Sequence, residues 1–191
     1  MRRLIIGISG ASGIIYGIRL LEVLQDIEDI ETHLVISKAG QRTATLESDY
    51  SIEEIRGAAD VVHNINDIAA SISSGSFKTM GMIVAPCSMK TLSGIVHSYS
   101  DNLLLRAADV VLKDRRKLVI LPRETPLHLG HIEMMSKLTM MGGIVMPPMP
   151  AFYDRPTSID EIVNHTVNRV LDLFDIELSP DLFRRWETPK G

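Results

Sequence analysis

The sequence predicts an α/β fold: a doubly wound, mostly parallel sheet in three layers. Two observations carry this. Short apolar runs rich in β-branched residues alternate along the chain with segments of helical period, the pattern that places parallel strands between covering helices. And 191 residues, 45% of them hydrophobic and 23% charged, are enough for one well-filled core of ordinary globular composition.

The first unit, residues 3–24, organises the rest. Leu4-Ile5-Ile6 leads into Gly7-Ile8-Ser9-Gly10-Ala11-Ser12-Gly13, and then into a helix with Ile14, Ile18, Leu21 and Leu24 on one face. A buried strand, a tight Gly/Ser turn and a helix set backbone N–H groups and a helix N-terminus against an anion, so a phosphate cradle is expected here. The spacing is G-x-x-G-x-x-G rather than the dinucleotide G-x-G-x-x-G, and Gly13 is followed by Ile14-Ile15 rather than the Lys-Ser/Thr of a P-loop. The second strand ends in Ser37-Lys38, without the acidic residue a dinucleotide ribose requires. That suits a single phosphate or a flavin; a plain serine-glycine turn without ligand is the alternative.

Further strands are expected at 3–8, 32–36, 60–63, 80–85, 117–121 and 143–146. Helices are expected at 13–26, 39–47, 51–57, 66–72, 89–97, 101–114, 130–140 and 159–175. The last is the clearest, with Ser158-Ile-Asp-Glu161 as a capping box and Ile159, Ile162, Val163, Val167, Val170, Leu171 and Phe174 as its buried face. Met146-Pro-Pro-Met-Pro150 reads as a stiff loop. Residues 1–191 are expected to form a single domain, with 179–191 a polar tail that packs on the site or a neighbour.

A net charge of −4 and no long basic run argue against a general nucleic-acid binder. No apolar stretch has membrane-spanning length. Met-Arg-Arg passes straight into a strand without a small-residue cleavage site, so a cytoplasmic protein is expected. The single cysteine, Cys87, excludes an intrachain disulfide and a multi-cysteine metal site.

Ligands of open α/β sheets sit beyond the carboxyl ends of the strands. There the sequence places Ser9–Gly13, Ser37-Lys38, Pro86-Cys87-Ser88-Met89-Lys90-Thr91, Pro122-Arg123-Glu124-Thr125-Pro126, and Phe152-Tyr153-Asp154. Ser88 and Thr91 can cap a helix and bind an anion at once. Cys87 reads as a small buried filler rather than a nucleophile. His128 and His131 lack an obvious third metal ligand. Arg106 and Lys113, seven apart on helix 101–114, share a face whose opposite side is Leu104, Ala107, Ala108 and Val111. That face is either a solvated basic stripe or an anion clamp, and Arg169 has the same two readings. The methionines crowded into 134–149 are expected to fill core or subunit contacts, with a pocket for an apolar ligand as the alternative.

Gly10-Ala11-Ser12-Gly13, the Pro86–Leu92 stretch, Arg106-Ala-Ala-Asp109, Leu118–Pro126 and Pro150-Ala-Phe-Tyr153 resemble, in this order, the flavin prenyltransferase family (UbiX-type). The resemblance runs from about residue 3 to Trp186. It implies a flavodoxin-like, Rossmann-like subunit that joins a dimethylallyl group to reduced FMN, first at N5 and then at C6. The product, prenylated FMN, would serve a UbiD-type decarboxylase. By position, Gly10, Ala11, Ser12, Ser37, Ser88, Met89, Lys90, Thr91 and Arg123 would hold FMN. Lys113, Tyr153 and Arg169, with Arg106 and Arg123 nearby, would hold the phosphate of dimethylallyl phosphate. Glu124, Glu47 and Ser12 would be the catalytic residues, and Trp186 would cover the site.

The resemblance further implies a homododecamer and a clamp that needs no metal. Methionine stands at 134 where the family carries asparagine, and the 58–66 region is short, which bears on pocket shape around 128–135. Two other readings stand beside this one. A flavin-dependent cysteine decarboxylase of the same fold would need an early catalytic His and Pro-Ala-Ser-Ala-Asn-Thr where Pro-Cys-Ser-Met-Lys-Thr occurs. A non-catalytic FMN carrier would need neither Glu124 nor the clamp.

Overall fold

Strand β4 (Gly81–Cys87) is buried at every residue, and β1 (Arg2–Ile8) is buried from Leu4 onward. Strands hidden on both faces belong at the centre of a sheet covered by helices. The computed structural model, which describes residues 1–186, places them there. Around them lie β2 (Ile30–Ile36), β3 (Val61–His63), β5 (Lys117–Pro122) and β6 (Ile144–Val145) in the order β3-β2-β1-β4-β5-β6, every neighbouring pair parallel. The order reverses between β1 and β4, the switch point at which such sheets take ligands.

The connecting helices are α1 (Ile14–Gln25), α2 (Lys38–Glu47), α3 (Ile52–Gly57), α4 (Met89–Val96), α5 (Leu103–Lys113), α6 (Leu129–Met140) and α7 (Ile159–Asp172). By contacts the chain divides into two compact units, residues 1–147 and 148–191. In the first, α5 contributes Leu104, Ala107, Ala108 and Val111, each at most 2% exposed, to a core with Val84, Leu118 and Ile120. Full burial of each such leucine or isoleucine favours the fold by roughly 1.5–3 kcal/mol. Met134, Met135 and Met141 pack against this core, whereas Met140 and Met149 are exposed.

Most expected elements are present, with three differences. Residues 66–72 form turns and a short 3-10 helix, Ser71–Ser73, instead of an α-helix. Asn64 Oδ1 accepts the Asn66 N–H and Asp67 Oδ1 the Ala69 N–H, and such side-chain turns compete with helix. Ile159, expected in the buried face of α7, is 76% exposed at the helix start, while the polar Asn168 is fully buried. The capping box at Ser158 is half formed: its Oγ accepts from Glu161 N, but the Glu161 carboxylate turns to Thr157.

Candidate active site

Ser9 builds the switch point. It is 1% exposed, its Oγ donates to the Pro86 carbonyl at 2.9 Å, and the same oxygen accepts the Ser88 N–H at 2.8 Å. One hydroxyl thus ties the end of β1 to the end of β4. Two glycines shape the turn that follows. Gly13 sits at φ 96°, a left-handed conformation glycine adopts without strain. A Cβ at Gly10 would collide with Ala39 in the first turn of α2.

The amino end of α1 holds a carboxylate of the chain itself. Glu47 Oε2, from the end of α2, accepts the Gly13 N–H at 2.8 Å and the Ile14 N–H at 3.4 Å. Partial burial opposes the charge on Glu47. The Ser12 hydroxyl, these two amides and the positive charge of Arg123 outweigh that and hold the carboxyl below its ordinary range. Of the expected phosphate cradle, the Gly13 and Ile14 amides are thus taken by Glu47. The amides of Gly10 and Ser12, which have no hydrogen-bond partner among the described residues, remain for an outside anion.

Two more helix starts face the same rim. Ser37 caps α2, accepting from Gly40 N at 2.9 Å, and Ser88 caps α4, accepting from Thr91 N at 3.2 Å and donating to the Thr91 hydroxyl at 3.1 Å. Lys90 is exposed in the first turn of α4. Arg123 follows β5, with its N–H donated to the Cys87 carbonyl at 3.2 Å. Glu124 is exposed beside it and accepts the Thr125 N–H at 3.1 Å. Cys87 is fully buried, and burial pushes its thiol far up, as a filler and not a nucleophile requires. His128 Nδ1 caps α6 through Gly130 N.

Arg106 and Lys113 do share a face of α5. Arg106 pairs with Asp109 at 2.9 Å and donates to the Ser73 carbonyl, and Lys113 pairs with Asp114 at 2.6 Å beside Gly75. Lys113 ends α5 just before β5 begins at Lys117, whereas Arg123 follows the other end of that strand. Six residues of strand separate these ends, a span on the order of 20 Å. Within one chain Lys113 and Arg123 do not meet at one anion.

The second unit carries Tyr153, Arg169 and Trp186. The Tyr153 hydroxyl lies 3.1 Å from His165 Nε2, and its ring meets Trp186 edge-on at 5.4 Å. His165 also packs edge-on against Phe183 at 4.4 Å, and desolvation, aided by Arg169, lowers its pKa and favours the neutral ring. Arg169 pairs with Asp172 at 3.0 Å. Sequence reasoning passed over His165 and Asp172. Their spacing of four before and three after Arg169 on one helix was the available signal.

The rim suits a flavin phosphate. Its donors are amides, hydroxyls and two cations, and Gly10 lets the turn pack directly on Ala39 of α2. These are the groups that hold an oxyanion without an Asp or Glu competing for a ribose.

The chain matches the Flavoprotein family over residues 1–171. It is 64% identical to flavin prenyltransferase UbiX of Escherichia coli strain K12, an alignment covering 98% of this chain and 99% of that one. Among solved structures, AnUbiX (PadA1), crystallised with FMN and dimethylallyl pyrophosphate, superposes with a TM-score of 0.95 at 46% identity, covering 98% of each chain. A dodecameric FMN-dependent UbiX-like decarboxylase from Escherichia coli O157:H7 gives 0.94 at 52% identity over 97% of this chain and all of that one. These likenesses show that the chain belongs to the UbiX-type flavin prenyltransferases.

Proposed function

We propose that this protein joins the dimethylallyl group of dimethylallyl phosphate to N5 and C6 of reduced FMN, and that the prenylated FMN passes to a UbiD-type decarboxylase. The likeness to the PadA1 complex, which holds both FMN and a dimethylallyl ester, carries this reading. Residues 1–191 act in it as one FMN-binding domain, assembled as a dodecamer in the cytoplasm.

Gly10, Ala11, Ser12, Ser37, Ser88, Met89, Lys90, Thr91 and Arg123 hold FMN through amides, hydroxyls and charge. Reduced FMN supplies the nucleophilic N5 and the carbon C6 that take the five-carbon unit. Arg169 and Tyr153, with Lys113 and Arg106, hold the phosphate. As the allylic C–O bond breaks, negative charge moves onto the departing phosphate, and cations and a hydroxyl already aimed at it lower the barrier. Tyr153 and Trp186 offer aromatic faces to the positive charge that develops on the allyl group. For the bond to C6, the allyl double bond takes up one proton and its far carbon bonds C6, which then releases its own proton. Glu124 takes it as general base, and Glu47, kept ionised by its amide and hydroxyl partners, holds Ser12 at the flavin edge.

Anaerobic incubation of the purified protein with reduced FMN and dimethylallyl phosphate, followed by mass analysis of the released flavin, tests this. The expected product is a flavin heavier by one five-carbon unit, lost in Glu124→Gln and Arg169→Ala. Tight FMN binding with unmodified flavin would overturn the transferase reading in favour of a carrier.

A further inference from the structure

Arg169 is not held alone. Its Nη1 lies 3.0 Å from Asp172 Oδ2, and Arg185 grips the same carboxylate with two nitrogens, Nη1 to Oδ2 at 3.0 Å and Nη2 to Oδ1 at 2.9 Å. Arg185 also donates Nε and Nη2 to Asp181, each at 2.6 Å. The fully buried Asn168 adds a third tie: its Oδ1 accepts the Leu182 N–H at 2.8 Å, and its Nδ2 reaches Asp172 Oδ1 at 3.3 Å. Asp172 is 19% exposed, whereas Arg169 and Arg185 are about half exposed. The carboxylate is thus the buried centre shared by two more exposed guanidinium groups. The chain segment so tied, residues 181–186, ends in Trp186 against the Tyr153 ring.

We propose that Asp172 is a positioning residue for the allyl phosphate: one carboxylate aims Arg169 and, through Arg185, anchors the segment that sets Trp186 against Tyr153. This rests on the reading of Arg169 as a phosphate ligand. Arg185 is held by two parallel hydrogen bonds and Arg169 by one, so Arg169 is the partner free to swing to an incoming phosphate. When it does, both oxygens of Asp172 remain on Arg185 and the segment stays docked. Aiming of Arg169 and docking of the tail thus both depend on a single side chain.

The FMN-bound protein provides two readouts: steady-state kinetics with dimethylallyl phosphate, and acrylamide quenching of Trp186, the sole tryptophan. Asp172→Asn is expected to raise KM about tenfold with kcat within about twofold, to leave FMN affinity unchanged, and to make Trp186 more quenchable. Asp172→Glu should restore part of each. In an Arg169→Ala background, where turnover is lost, Asp172→Asn should add little to the weakened binding of dimethylallyl phosphate measured by calorimetry, because it acts through a guanidinium already absent. Unchanged KM and quenching in Asp172→Asn would overturn the proposal, as would an equal loss of dimethylallyl phosphate affinity with or without Arg169. If Asp172→Asn does not fold, Arg185→Gln tests the same tie at an exposed position, with higher quenching and KM expected and wild-type values overturning it. Wild-type protein that forms no heavier flavin would sink the transferase reading alone, and the quenching comparison would still decide whether Asp172 anchors the tail.

Discussion

Glu47 brings a carboxylate from the end of one helix to the first amides of another, 34 residues earlier in the chain. Gly13, at the start of α1, has no side chain with which to cap those amides, so Glu47 supplies the cap and balances the positive end of the helix dipole. Glu47→Gln should cost about 0.5–1 kcal/mol of stability at neutral pH, measured as a lower urea midpoint. The folded-state pKa lies below the ordinary value, so this stabilisation is complete above the unfolded-state pKa and is lost as pH falls through the folded one. The wild-type and Gln midpoints should therefore converge in acid; a gap that persists there would disprove the charge-based account. Nothing in the sequence announced this contact. Capping by a distant residue has no period or local motif, whereas the cap of Ser51 by Glu54, three residues apart, is a local pattern and forms in full.

At the scale of elements, the junction of β1 and β4 depends on one buried hydroxyl. Ser9→Ala would leave the Pro86 carbonyl and the Ser88 N–H without that partner, a loss of about 1–3 kcal/mol. Chemical unfolding should show it as a reduced midpoint, accompanied by weaker FMN binding because the start of α4 would lose its anchor. Full FMN affinity in Ser9→Ala would mean that the rim is set by other contacts. The strands and most helices were legible in the sequence because apolar periodicity reports burial directly. Segment 66–72 was misread because its period resembled a helix while Asn64 and Asp67 offered the backbone closer partners. The rim residues were legible because each follows a strand. Asn168 and the second arginine on Asp172 were not, since Leu182 and Arg185 lie on an irregular segment without a pattern of its own, whereas the Arg169–Asp172 spacing was there to be read.

For the whole molecule, the position of Lys113 is decisive. It stands at the amino edge of the sheet and the Ser9–Ser88 rim at the carboxyl edge, so the role proposed for Lys113 at a phosphate beside that rim would call for a second copy of the chain. Lys113→Ala and Arg169→Ala should each abolish activity. Co-expressed in equal amounts they should recover about a quarter of it, because a site drawing Arg169 from one copy and Lys113 from another is intact in one random pairing of four. Size-exclusion chromatography would confirm that the mixed species co-assemble, and an inactive co-assembly would confine the site to one subunit.

The two ends of the sheet bear on how such copies meet. The outermost strands are β3, with three residues, and β6, with two. Strands this short offer a neighbour almost no unpaired backbone to extend. In an assembly of the proposed kind, copies of this chain would therefore meet through side-chain surfaces rather than by joining sheets edge to edge, without the open-ended growth that a long bare strand would invite.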